Sequence, residues 1–214
     1  MLIQGQVGQP STTSIAAGTT PVLRQGQLAD VIVTELHGRY YEGSYRKSRF
    51  GGAMQAVIAT ATIGGFATTI TGVPLLYNPP GSAVNVVIET VQIAFVVASA
   101  NALAYGIATG FSNTAVSGTL TSLTPKSKFI GSGVTPVAGL AASASITLPV
   151  AATGDMILGS LSTAAVSVPN ATPGLFDIGG AIILPPGGYC HFYTSAILAA
   201  SSLLAGFSWE EVPV

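Results

Sequence analysis

The sequence predicts an all-β protein: an antiparallel β-sandwich or barrel with an extended N-terminal arm. Three observations carry that expectation. Short runs rich in Val, Ile, Thr and aromatics recur from residue 51 onward, separated by Gly/Pro clusters. The stretch Pro173 to Tyr193 reads as two apolar strands joined by Pro185-Pro186-Gly187-Gly188, a β-hairpin signal. Residues 1 to about 27 are polar, rich in Gln, Gly, Ser and Thr, and bury too little apolar surface to fold alone. The division expected is an arm and interaction segment, 1–50, followed by the sandwich, 51–214.

Taken in order, Leu28 to Gly38 is a β-branched run stopped by its glycine. Met54 to Ile63, Phe66 to Thr71 and Leu75-Leu76-Tyr77 follow as strands, the last ending in the turn cluster Asn78-Pro79-Pro80-Gly81-Ser82. Val84 to Val97 is the longest candidate, and its imperfect alternation suits a strand covered on both faces. Asn101 to Phe111 and Val116 to Leu123 are further strands. Thr124 to Ala144, with Lys126 and Lys128, reads as a long loop at one end of the sandwich. Ile146 to Leu148, Met156 to Val168, the 173–193 stretch and Leu203 to Val212 complete the set. Alanine and leucine clusters at 53–61 and 195–204 offer weak helical alternatives, and no fixed-period repeat is visible.

Composition narrows the function classes. Charged residues are 7% of the 214, with a net charge of −1, against about 25% in an average soluble protein. A nucleic-acid partner is excluded, because phosphate contacts need an excess of Lys and Arg. Such a weakly charged surface is poorly protected against self-association and is usually covered by partners. The uncharged stretch Thr90 to Pro125 is long enough to cross a bilayer, but Gln92, Ser99, Asn101 and its glycines divide it into β-rich halves, so no membrane association is expected. No secretory signal is evident at the N-terminus, which makes cytoplasmic synthesis the default. The single cysteine, Cys190, reads as a buried small apolar residue.

Chemistry-bearing groups do not converge. The two histidines, His37 and His191, lack a nucleophile elbow, and Cys190 beside His191 points to the opposite face of a strand. The carboxylates are dispersed without a calcium or zinc cadence, so neither metal nor cofactor is expected. What stands out is the neighbourhood Arg24 to Arg49, with five of the seven basic residues and three of the seven tyrosines. Arg and Tyr are enriched at interface hot spots. The candidate protein-interaction residues are therefore Arg24, His37, Arg39, Tyr40, Tyr41, Tyr45, Arg46, Lys47 and Arg49. Sugar-binding aromatic platforms at Tyr40, Tyr41 and Tyr45, or at Tyr189, Phe192 and Tyr193, are the competing reading.

Three motifs carry a family resemblance: Leu76-Tyr77-Asn78-Pro79-Pro80-Gly81-Ser82-Ala83-Val84-Asn85, Ile183-Leu184-Pro185-Pro186-Gly187-Gly188-Tyr189, and Phe207-Ser208-Trp209-Glu210-Glu211-Val212-Pro213. With them, residues 50 to 214 resemble virion structural proteins of tailed bacteriophages. The resemblance implies a jelly-roll sandwich without catalytic residues. Taken with the low charge and the polar arm, it leads to the expectation of a homo-oligomer, a trimer favoured, that binds the major capsid protein lattice as a cement or decoration protein on the virion surface. A receptor- or glycan-binding module of a head fibre, tail or baseplate is the alternative it leaves.

Overall fold

A computed structural model describes residues 5–6, 23–24, 47–56, 58, 66–96, 102–161, 174–195 and 203–214. Their strands are, in order, β1 (Gly5–Gln6), β2 (Leu23–Arg24), β3 (Arg49–Ala53), β4 (Thr69–Ile70), β5 (Leu75–Tyr77), β6 (Val84–Phe95), β7 (Leu103–Phe111) and β8 (Ser117–Gly118). There follow β9 (Lys126–Ser127), β10 (Gly139–Ala141), β11 (Ile146–Thr147), β12 (Thr153–Leu161), β13 (Gly174–Leu184), β14 (Gly188–Thr194) and β15 (Leu203–Pro213). No helix occurs among the described residues.

Two antiparallel sheets form the sandwich. One has the order β13-β6-β15-β3-β9, the other β10-β5-β14-β7-β12. Eight framework strands, β3, β5, β6, β7, β12, β13, β14 and β15, cross from sheet to sheet at every connection but β7 to β12, which gives the jelly-roll arrangement. Facing strands share one core: Phe192 of β14 lies 5.1 Å from Phe207 of β15, and Phe95 of β6 lies 5.3 Å from Tyr105 of β7. The short strands β4, β11 and β8 form a third sheet. Elsewhere, β1 and β2 pair in parallel, with Gln6 opposite Arg24.

The Pro-Pro-Gly-Gly stretch is not a hairpin. β13 pairs with β6, whereas β14 pairs with β5 and β7, so residues 185–187 carry the chain from one sheet to the other. A turn signal reports the reversal but not which sheet the next strand joins. The corner closes through Gly188 N–H to Pro185 O at 2.7 Å, and Gly187 adopts a φ of 90°, a conformation that glycine reaches without steric cost.

Asn78-Pro79-Pro80-Gly81 makes the matching switch from β5 to β6, and the two corners interlock. Buried Asn78 donates from Nδ2 to Val84 O at 2.8 Å and to Leu184 O at 3.0 Å, while its backbone exchanges hydrogen bonds with Gly187 and Gly188.

Other expectations change for physical reasons. The uneven alternation of β6 comes from a register shift opposite Ser208 and Trp209, which moves the buried set from Val86 and Ile88 to Val91, Ile93 and Phe95. The outer face of β6 is not covered throughout, since Gln92 is exposed. The strand expected at Met54 to Ile63 lies earlier: β3 spans Arg49–Ala53, and Met54 to Ala56 are outside any strand. Gly51 and Gly52 sit within β3, where a side chain on Gly52 would meet Leu140 and Pro125. Of Val116 to Leu123 only Ser117–Gly118 forms a strand. The 124–144 segment is not a loop at one end: β9 joins the edge of one sheet and β10 the edge of the other. These pieces are too short for periodicity to reveal.

The strand run Leu28 to Gly38 lies outside the described residues, as do 57 and 59–61 of the 53–61 segment and most of the 195–204 segment. Lys47 to Phe50, at the end of the expected interaction segment, are continuous with the sandwich, since Glu211 N–H donates to Ser48 O at 2.9 Å.

Candidate interaction surface

Strand alternation divides each sheet into a core face and an outer face. Along β15, Leu203, Ala205, Phe207, Trp209 and Glu211 turn inward. Glu211 is a buried carboxylate satisfied by three donors: the N–H groups of Val137 at 3.0 Å and Ala138 at 2.9 Å, and Trp209 Nε1 at 3.3 Å. It fixes the segment between β9 and β10 to the last strand, which is a structural role. On β14, Cys190 and His191 do point to opposite faces, yet both are buried. Burial, with a smaller contribution from Asp155, pushes the Cys190 thiol far up, so it is not a ready nucleophile.

His191 lies under segments packed on the outer face of its sheet. Its flanking residues on that face show the cover: Tyr189 donates its hydroxyl to Val150 O at 2.6 Å, and Tyr193 stacks on Phe66 at 4.8 Å. His191 Nδ1 bonds Phe192 O at 2.7 Å, while Nε2 is buried without a hydrogen-bond partner. Burial holds its pKa below the ordinary value, the bond to Phe192 opposing. The folded state therefore keeps His191 neutral where the unfolded chain has begun to bind a proton. Its contribution to stability is complete above about pH 6.5 and is lost as the pH falls toward the folded pKa. The expected loss approaches about 1.4 kcal/mol per pH unit once the unfolded imidazole is protonated. Urea unfolding from pH 7.5 to 5.0 checks it, and His191→Phe is expected to flatten the slope over that range.

The second aromatic platform is not on the surface. Tyr189, Phe192 and Tyr193 are all buried.

Of the predicted interaction residues, Arg24 lies on β2. His37, Arg39, Tyr40, Tyr41, Tyr45 and Arg46 lie outside the described residues. Lys47 and Arg49 are placed at the head of β3. Lys47 is exposed, with a φ of 67°, and its ammonium stands 5.8 Å from the centroid of Phe129. Arg49 pairs through Nε and Nη2 with Glu89 across the intervening β15, and Ser48 donates its hydroxyl to Glu210 at 2.7 Å.

Long-range pairing adds two residues that sequence reasoning left in a loop. β9 aligns Lys126 with Gly51 and Ser127 with Phe50, and Lys128 N–H donates to Arg49 O at 2.8 Å. Lys47, Arg49, Lys126 and Lys128 thus share one lateral edge. Lys128 extends over Gly51 toward Ser208.

The opposite lateral edge, β13 of one sheet and β12 of the other, carries the exposed carboxylates Asp177 and Asp155. The sequence gives only a faint signal for Asp177: Asp-x-Gly-Gly inside an apolar run marks a local irregularity. In the fold Asp177 Oδ1 accepts the Gly179 N–H at 3.0 Å, where the β13 register shifts.

Between these edges the outer face is sparsely polar. A cleft of about 460 Å³ is lined by Ala53, Gln92, Ala94, Leu175, Leu204 and Gly206 among others, and among the described residues of its lining Gln92 alone has a polar side chain. Leu175 is 69% exposed and Ile183 56%. Such a surface offers contact area rather than converging polar groups. Among the described residues no three His, Cys, Asp or Glu side chains gather as a metal-holding group, and no helix is long and apolar enough to cross a membrane. In comparison with known proteins, neither a family model, nor a curated relative, nor a solved structure matches this chain.

Proposed function

We propose that this chain is a non-enzymatic structural protein of a tailed-phage virion, an oligomer, most simply a trimer, that binds the major capsid protein lattice as a cement or decoration protein. The observation that carries the reading is the outer surface of the jelly roll. Leu175 and Ile183 stand exposed on β13 and Ile157 on β12, and Leu175 also lines the apolar cleft, in which no polar groups converge among the described residues. Large apolar side chains left on regular strands are best accounted for by a covering protein. The low overall charge supports the same reading, because many copies lie side by side at little electrostatic cost.

The arm and interaction segment, 1–50, supplies the contacts to neighbours in this reading. Segments that order on binding wrap large surfaces at modest affinity per area. The test is to add purified full-length protein, and a form beginning at Lys47, to particles stripped of this chain and to measure occupancy. Saturable binding by the full chain with loss of binding by the shortened form supports the proposal. Absence of binding by the full chain overturns it, and equal binding by both forms overturns the role of the arm.

A further inference from the structure

The first sheet is electrically polar along a single cross-strand row. Lys126 aligns with Gly51, Gly51 with Ser208, Ser208 with Thr90 and Thr90 with Asp177. One line of side chains therefore starts at a lysine on the β9 edge and ends at an aspartate on the β13 edge. Lys128 and Lys47 reinforce the first end; Asp155, on the adjoining β12 edge, reinforces the second. Both ends also present apolar groups: Ile130, 90% exposed, next to the lysines, and Leu175, 69% exposed, two residues from Asp177. Among the described residues no ion pair engages Lys126, Lys128 or Asp177.

We infer that the occupant of each edge is a second copy of this chain, docked head to tail, with Lys126 and Lys128 of one copy against Asp177 of the next. Charge complementarity selects the partner. The cationic and anionic ends stand in the same row of the same sheet, so placing copies side by side along that row brings opposite charges together at every junction. An isologous contact would instead set like edges against each other, lysine to lysine or aspartate to aspartate, which is repulsive.

Ile130 contributes an ordered apolar contact at the cationic end. It occupies a turn closed by Ser132 N–H to Phe129 O at 3.1 Å, with Gly131 at a φ of 81°. Repetition of one heterologous contact closes into a ring when the rotation between copies allows it. This inference rests on the oligomeric reading proposed above and assigns that assembly its contact edges.

The experiment is a charge swap read by sedimentation equilibrium and native mass spectrometry on the full chain. Wild type is expected to be an oligomer that weakens as salt is raised. Lys126→Glu with Lys128→Glu is expected to raise the dissociation constant about tenfold or more, and Asp177→Lys likewise. Combining all three substitutions in one chain restores opposite charges at every junction and is expected to recover the wild-type mass. All three positions are exposed, so circular dichroism is expected to stay at wild-type values. The urea midpoint is expected to stay there for the lysine swaps and to fall slightly for Asp177→Lys, which loses the bond to Gly179 N–H. Asp177→Asn, which keeps that acceptor without the charge, is expected to weaken association with an unchanged midpoint. A monomeric wild type, swaps without effect, or a triple variant no better associated than the partial ones would each overturn the head-to-tail contact. An oligomer indifferent to the swaps removes these edges alone and leaves the virion reading standing; failure to bind particles removes the virion reading alone.

Discussion

Trp209→Ala is expected to lower the stability of the sandwich by about 3–5 kcal/mol, the range for emptying a buried large aromatic. Trp209 is fully buried at the centre of β15, with its ring 6.2 Å from Phe50 of β3. Its indole N–H is also one of the three donors to the buried Glu211 carboxylate. Truncation therefore opens a cavity and weakens the anchor of the segment between β9 and β10. Against a total of about 5–15 kcal/mol for a typical domain, this removes a large share. The urea midpoint checks it, with Trp209→Phe as a milder companion that keeps an aromatic ring and drops the N–H. A loss below about 1 kcal/mol for the alanine variant would show that Trp209 does not hold the sheets together.

The second large effect is expected at Asn78→Ala, about 2–4 kcal/mol. Leu184 O and Val84 O lose the amide that donates to them, Val84 O keeping only the longer bond from the Ser82 hydroxyl at 3.3 Å, and a buried group left without its partner costs about 1–3 kcal/mol. Ser82 Oγ loses the shorter of its two acceptors, Asn78 Oδ1, and keeps Val84 O. The corresponding fall in Tm is about 2–4 °C per kcal/mol for a chain of this size. Asn78→Asp is expected to be at least as harmful, because a carboxylate sets an acceptor against two carbonyls. Calorimetry on both variants is the check, and wild-type melting for either would deny the interlocked corners their role.

Asn78 also shows how far local sequence reaches. Both Pro-Pro-Gly stretches are visible as turns, and the strands around them, β6, β13, β14 and β15, fall close to their expected ranges. What a turn cannot encode is its destination. A tight hairpin and a sheet-switching corner use the same residues, and only the pairing of β13 with β6 and of β14 with β5 and β7 separates them. Short pieces fail differently: β9 and β10 have two and three residues, fewer than any periodic signal needs, and they exist because an edge of each sheet is there to pair with.

The candidate interaction surface was legible to the same degree. Lys47 and Arg49 belong to the charged, tyrosine-rich neighbourhood that composition singles out. Lys126 and Lys128 reach them only through the β3–β9 pairing, across more than seventy residues of sequence. Asp177 acquires meaning only once its row is traced across four neighbouring strands.

The central claim, that this jelly roll is a virion surface component, is tested most directly by imaging the intact particle at a resolution that distinguishes two stacked five-stranded sheets. The account predicts the sandwich outside the major capsid protein lattice, in rings of copies that meet edge to edge. Particles whose surface, head and tail all lack this density would contradict it.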